Sequence, residues 1–284
     1  MRVHFSHGDR ALVADLADAL PIAIPLDFDG PQPSHFGVRA AHAVPLRAGS
    51  FLGDVRAGGS CNCEELRLTP HCNGTHTEGV GHVTADRVPV TDSLRGGLLV
   101  AGVVSVHAVA PAATGESTNP VPTSDDQLIT ATALEKACGV LAPWWQPDTP
   151  NPRFPEALVV RTLPNGADKL SRDYAGENPA PYLTREAAAW LVERGVLHLV
   201  VDLPSVDRAH DGGHLTAHRV FFGLPAGAKR VAEATRPQAT ITELAFIAPM
   251  VRDGWYLLDL QVPAFLTDAA PSRPLLYPVR DEPA

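Results

Sequence analysis

The chain has 284 residues, 45% of them hydrophobic, so it can bury a large core in one or two domains. A formal net charge of −9 and the lack of any Lys/Arg cluster argue against nucleic-acid binding, which needs a basic face. No stretch approaches the roughly 20 consecutive apolar residues of a membrane span. The amino-terminal residues also lack the apolar core of a signal peptide. We therefore expect a cytoplasmic protein.

Residues 1–45 include a stretch rich in Gly and Pro and are predicted to form a short preamble packed on a single domain of residues 46–284. Gly97–Ala108 is a continuous β-branched run, typical of a strand buried on both faces. The pattern of Thr130–Leu141 predicts a helix between two loops rich in Pro, Thr and Ser.

The middle of the chain alternates between strand and helix patterns. Leu158–Arg161 is strand-like, Tyr182–Arg194 has helical spacing with Thr184 as a plausible N-cap, and Val196–Val201 is strand-like again. This alternation indicates an α/β fold. Three further segments are predicted as strands: Arg219–Leu224, Ile241–Ile247 and Trp255–Val262.

The chemistry is concentrated in one segment, which runs Cys-Asn-Gly-Thr-His-Thr-Glu-Gly-Val-Gly-His from Cys72 to His82. Cys72, His76, Glu78 and His82 all have side chains that can bind a divalent metal or exchange protons near neutral pH. Three interspersed glycines disfavour a helix, so we interpret the segment as a strand that leads into a tight loop.

Two alternatives concern the neighbours of this segment. His71 is adjacent to Cys72 and competes with it for the first ligand position, because neighbours in an extended strand point to opposite faces. Cys61, Cys63, Cys72 and a His could instead form a structural zinc site. That spacing lacks the second ligand pair of such sites, so the catalytic metal site is favoured.

The segment resembles the signature of the kynurenine formamidase, or cyclase-like, family of metal-dependent hydrolases, which is His-x-Gly-Thr-His-x-Asp-x-Pro-x-His. Alignment on Gly-Thr-His places Cys72 in the first His position and Glu78 in the Asp position. Leu158–Thr162 and Asp202–Asp207 look like later blocks of the same family in the same order. The resemblance implies a swivelling β/β/α-type domain with mixed sheets packed against helices, assembled as a homodimer or homotetramer.

The resemblance also implies a ligand set. Glu78 would bridge two divalent ions, with Cys72 and His76 on the first ion and His218 and Glu243 on the second. His82 would act as general base and then as general acid. A thiolate ligand favours Zn²⁺ over Mn²⁺, so up to two zinc ions per chain are expected. Family members usually carry a second His where this chain has Arg219.

The reaction that the resemblance implies is hydrolysis of an aryl formamide such as N-formylkynurenine, a step of tryptophan catabolism. A second hypothesis is a hydrolase or lyase of a cyclic amide, lactone or hydroxy acid. A third is an inactive metal- or ligand-binding relative, because Cys72 and Glu78 depart from the signature. Phe51, Trp144 and Trp145 are candidate walls of the substrate pocket.

Overall fold

The computed structural model describes residues 1–94, 96–142, 154–175 and 179–282. The strands in these ranges are β1 Arg2–His7, β2 Arg10–Asp15, β3 Leu20–Pro21, β4 His42–Pro45, β5 Arg47–Ala48, β6 Phe51–Leu52, β7 Glu64–Arg67, β8 His76–Glu78, β9 Leu98–His107, β10 Leu128–Ile129, β11 Ala157–Leu163, β12 Tyr182–Leu183, β13 His198–Val201, β14 Thr240–Glu243, β15 Gly254–Asp259, β16 Ala269–Pro271 and β17 Leu275–Asp281. The helices are α1 Pro70–Asn73, α2 Val90–Ser93, α3 Ala131–Cys138, α4 Arg185–Glu193 and α5 Thr216–Phe222.

Within the described ranges, one mixed sheet of 11 strands dominates the fold, in the order β1-β2-β17-β15-β9-β11-β13-β14-β8-β16, with β3 added beside β17. The four central strands β9, β11, β13 and β14 are parallel. Antiparallel strands extend the sheet on both sides. The predicted α/β class, with a mixed sheet packed against helices, is confirmed.

Both faces of the central strands are buried, which explains their continuous apolar runs. Val104 and Val160 face the side covered by α3, α4 and α5, where Leu134 and Leu191 pack against them. Their neighbours Val103 and Val159 face the opposite cluster, together with Ile22, Ile247 and Leu258. Successive side chains of a strand alternate in direction, so each central strand contributes to both cores.

Both predicted helices of the middle region are present and begin at capping threonines. The hydroxyl of Thr130 accepts the N–H of Ala133 at 3.0 Å, and that of Thr184 accepts the N–H of Ala187 at 3.0 Å. Gly195, just beyond α4, has φ +78°, the left-handed conformation that commonly ends a helix.

The prediction of a strand at Arg219–Leu224 is wrong, because these residues belong largely to α5. The carboxylate of Asp207 accepts the N–H groups of Ala217 at 2.8 Å and His218 at 3.1 Å, two donors that the first turn of a helix leaves unpaired. Gly223, with φ +64°, follows the last residue of the helix. The capping contact from Asp207, ten residues before Ala217, thus outweighs the strand propensity of Val220, Phe221 and Phe222.

The amino-terminal region adds strands to this sheet. Arg10–Asp15 pairs with Leu275–Asp281 near the other end of the chain, and Leu20–Pro21 pairs with the same strand. The boundary at residue 45 stays a prediction. Among the described residues, no helix is long and apolar enough to cross a membrane.

The buried His198 generates a prediction about stability and pH. Burial and the charge of Arg236 lower the pKa of His198 from 6.5 to about 4. Below about pH 6.5 the unfolded chain takes up a proton that the folded chain does not accept until about pH 4, so stability should fall as the pH drops through this window. Between pH 7 and pH 4.5, the free energy of unfolding of the natural chain should fall by about 2 kcal/mol more than that of His198→Asn.

Urea unfolding at the two pH values measures this difference. Asn can reproduce the contact that Nδ1 of His198 makes with Oγ1 of Thr240 at 2.8 Å, but it does not titrate. His42→Asn at the exposed His42 is the control and should retain the natural pH dependence. Equal losses in the natural chain and His198→Asn would contradict the prediction.

Candidate metal centre

The centre is built on β8, which lies between β14 and β16. His76 and Glu78 are two residues apart on this strand, so their side chains share a face, and both are fully buried. The pairing with β14 places Glu243 opposite His76. On the other side Ala269 pairs with Glu78, which brings the preceding Asp268 to the rim of the site.

Glu78 is the geometric centre of the cluster. Its Oε1 lies 2.8 Å from Nε2 of His218, and its Oε2 lies 2.9 Å from Nδ1 of His71 and 3.8 Å from Nδ1 of His82. The carboxylate of Glu243 closes the buried side, with Oε2 at 3.5 Å from Nε2 of His76 and Oε1 at 3.6 Å from Nε2 of His218. Ligand-type atoms therefore converge from three segments of the chain, namely residues 71–82, His218 and Glu243.

Three sets of ligand atoms lie within 4.8 Å of one another among the described residues. They are His71, His76 and Glu78; Glu78, His82 and His218; and His71, His82 and Asp268. The structure therefore brings together His76, Glu78, His82 and His218 from the predicted site, with Glu243 beside them. The sets also include Asp268 and His71, the rival of Cys72 for the first ligand position, and none of the three includes Cys72.

The position of Cys72 follows from the local backbone. Pro70 to Asn73 form one helical turn with Pro at its first position, so the expected extended strand is wrong at this point. His71 contacts Glu78 from this turn, whereas the Cys72 thiol is buried. Burial and the charge of Glu243 raise the pKa of Cys72, which disfavours the thiolate that a metal requires. The role of Cys72 as a ligand stays a prediction, and the geometry favours His71.

The ring orientations of two histidines are fixed by contacts at Nδ1. In His218, Nδ1 lies 2.7 Å from Oδ2 of Asp207, and in His76 it lies 3.0 Å from the carbonyl oxygen of Gly74. A proton on Nδ1 leaves Nε2 as the lone-pair donor, the arrangement that commonly orients metal-binding histidines. Both Nε2 atoms face the Glu78–Glu243 pair.

Four buried atoms in the centre lack a hydrogen-bond partner among the described residues: Nε2 of His76, Nε2 of His218 and both carboxylate oxygens of Glu78. Oε1 of Glu78 and Nε2 of His218 are close enough for an ion pair, but their angles do not meet those of a hydrogen bond. Buried polar atoms are nearly always partnered in folded proteins. Convergent nitrogen and oxygen donors without partners fit a divalent cation such as zinc.

Comparison with known proteins identifies the family to which the chain belongs. A family model described as "Putative cyclase" matches residues 14–208. The chain belongs to this family. The match includes the segment from Cys72 to His82 and ends just after Asp207, so His218, Glu243 and Asp268 lie beyond it. No curated protein matches the sequence significantly.

Solved structures share the fold of this cyclase-family chain. Isatin hydrolase A from Ralstonia solanacearum is 15% identical with a TM-score of 0.60, covering 91% of each chain. Isatin hydrolase A from Labrenzia aggregata, bound to benzyl benzoate, is 17% identical with a TM-score of 0.55, covering 91% of this chain and 93% of the other. A predicted metal-dependent hydrolase from Bacillus stearothermophilus is 14% identical with a TM-score of 0.54, covering 91% of this chain and 97% of the other.

The electrostatics of the cyclase-family site are dominated by the carboxylates. Burial opposes protonation of His71, but its hydrogen bond to Asp268 and the negative charges of Glu78 and Asp268 outweigh it and raise its pKa to about 10. Burial likewise opposes the charged form of His218, yet Glu78 and Asp207 raise its pKa well above the usual range. The charges of His82 and His218 outweigh burial and lower the pKa of Glu78. Metal binding would displace the histidine protons, so affinity should rise with pH.

Sequence reasoning missed Asp268 and His35. Asp268 accepts a hydrogen bond from His71 at 2.9 Å and lies 3.5 Å from His82, but it has no motif of its own. His35 is 2% exposed, and neither ring nitrogen has a hydrogen-bond partner among the described residues. Burial lowers its pKa, while the charge of nearby Glu243 partly opposes that shift.

One of the three candidate aromatic walls lies within the described residues. Trp144 and Trp145 lie outside the described residues. Phe51 is half-buried in the short β6 strand, which pairs with β5 rather than with the central sheet.

The contrast between His71 and Cys72 generates the second prediction. We expect His71→Ala to lose most of its bound metal after dialysis, because His71 contacts the central Glu78. Cys72→Ser should retain the metal. Elemental analysis of the two proteins, loaded with zinc under the same conditions, measures the difference. The reverse result would show that the thiol, and not the imidazole, is the ligand.

Proposed function

We propose that the protein is a metal-dependent hydrolase of a small amide, with an aryl formamide such as N-formylkynurenine as substrate. The observation that carries the proposal is the convergence of unpartnered buried donors from His76, Glu78 and His218 beside the partly exposed His82. Membership of the cyclase family supports the proposal, as do structural relatives that are themselves described as hydrolases. A homodimer or homotetramer in the cytoplasm remains part of the same proposal.

The geometry suggests which residues would hold the metal. His71, His76 and Glu78 form one ligand set, with His71 in the position first predicted for Cys72. Glu78, His218 and Glu243 surround the second position. We propose zinc for both, since the donors are imidazole nitrogens and carboxylate oxygens. A divalent ion bound here would supply Lewis acidity, which makes water a better nucleophile and polarises a carbonyl group.

His82 is the residue placed to move protons. Its side chain is 26% exposed, whereas Glu78 and His218 are buried, so it lies between the centre and solvent. Its Nδ1 lies 3.5 Å from Oδ2 of Asp268 and 3.8 Å from Oε2 of Glu78. We propose that His82 accepts a proton from the attacking water and then delivers it to the departing amine. Asp268 would orient the ring and stabilise its protonated form.

A second candidate is ring opening of a cyclic amide. It is favoured by the structural likeness to isatin hydrolases, one of which is bound to the product analogue thioisatinate, with 13% identity and a TM-score of 0.57. Opening a cyclic amide uses the same attack of water on a carbonyl carbon, but the amine stays attached to the product. The two candidates therefore differ in whether a one-carbon fragment is released.

A substrate panel separates the candidates. We expect the zinc-loaded protein to release formate from N-formylkynurenine and formanilide, measured with a coupled formate assay. Loss of isatin absorbance without formate release in the other assays would support ring opening instead. No turnover of any of these amides by protein with full metal content would refute both hydrolase proposals and favour an inactive binding relative.

The role of His82 is tested separately. We expect His82→Ala to lower kcat by about 10²–10⁴-fold, the usual contribution of a positioned general base, with little change in metal content. The exposed His42, in β4, offers a matched control, because His42→Ala should leave kcat unchanged. An unchanged kcat in His82→Ala with metal still bound would exclude the proton-transfer role.

A further inference from the structure

A cavity of about 690 Å³ lies on the outer side of α4 and α5. It is lined by residues 117–119, by Arg185, by residues 213–214 with Thr216, Arg219 and Val220 of α5, and by residues 224–227 and Lys229. None of the metal-centre residues contributes to this lining. The cavity is therefore a separate feature of the fold, and it is within the size range of small-molecule sites.

Three cationic side chains line the cavity: Arg185, Arg219 and Lys229. None of them has an acidic partner within 4.0 Å in the described part of the chain. Arg185 is the first residue of α4, where the positive end of the helix dipole disfavours a cation. In a protein of net charge −9, this concentration of positive charge needs a physical reason.

Arg219 is held in place without being neutralised. Its Nη1 donates hydrogen bonds to the carbonyl oxygens of Ala228 at 2.8 Å and Pro225 at 3.4 Å. These carbonyls carry no net charge, so the guanidinium charge remains available to a ligand. Arg219 also stands where members of the resembled family usually carry a second His. The position at which this chain departs from the family pattern therefore lies in the lining of the cavity.

Two carboxylates beside the cavity, those of Glu186 and Glu233, are engaged in shaping the loops. Glu186 accepts the N–H of Ser117 at 2.7 Å and its hydroxyl at 2.6 Å. Glu233 accepts the N–H groups of Lys229 at 3.3 Å and Arg230 at 3.0 Å. These acids fix the backbone around the cavity, and they leave the cationic side chains without a close anionic partner.

We propose that this cavity binds a small polyanion, either an organic phosphate or a polycarboxylate. Three cations around one cavity can each make charge-assisted hydrogen bonds to phosphate or carboxylate oxygens, and arginine does so in a bidentate manner. Residues 117–119 supply further polar groups to the lining. The proposal does not rest on the proposed hydrolase activity.

Isothermal titration of the full zinc-loaded chain tests the proposal, with phenyl phosphate and tricarballylate as probes at constant ionic strength. We expect saturable binding of one molecule per chain, weakened by added NaCl because the contacts are ionic. Arg185→Gln and Lys229→Gln should each weaken binding about tenfold, the usual effect of losing one charge-assisted contact. Both side chains are exposed, so these variants should fold normally, which thermal unfolding verifies.

Two controls make the result specific. Arg47→Gln removes an exposed cation from β5 and should bind like the natural chain. His76→Ala alters the metal centre and should also retain binding, so failure of the hydrolase proposal leaves this test intact. Binding of phenyl phosphate alone, of tricarballylate alone or of both would each support the site and identify the ligand chemistry. No binding of either probe at millimolar concentration, or equal binding by Arg185→Gln/Lys229→Gln, would overturn it.

Discussion

The buried carboxylate of Glu78 is the constraint around which the candidate site is arranged. It is fully buried on a strand that has neighbours on both sides, so water cannot solvate its charge. An isolated buried carboxylate is strongly unfavourable unless opposite charges and hydrogen-bond donors surround it. His71, His82 and His218 supply that environment from three different elements. The same electrostatic requirement that holds these elements together also assembles the donors a divalent cation needs.

Asp207 links the fold to this chemistry. One of its oxygens accepts the N–H of Ala217, and the other accepts both the N–H and Nδ1–H of His218. The first contacts stabilise the start of α5, and the last orients the imidazole toward Glu78. A single carboxylate thus determines both where the helix begins and which nitrogen of His218 faces the centre.

Local spacing was sufficient to predict much of the site, because His76, Glu78 and His82 lie within one short segment. It could not decide between His71 and Cys72, since that choice depends on a helical turn that only the folded backbone reveals. Asp268 could not be predicted because only the pairing of β16 with β8, almost 200 residues apart in the chain, brings it to His71 and His82. The helix α5 was mistaken for a strand for a related reason, as its cap comes from outside the segment. Buried strands such as Leu98–His107 were easier to predict, because a continuous apolar run by itself indicates a buried strand.

The short helix α5 has a consequence for communication within the molecule. This helix of seven residues carries His218, which faces the metal centre, and the adjacent Arg219, which lines the cavity described above. Its start is held by Asp207 and its end by the backbone of residues 223 and 224. A rotation of this helix about its axis would move both side chains at once. Because the contacts at both ends of the helix restrain that rotation, the cavity and the metal centre should bind their ligands independently of each other.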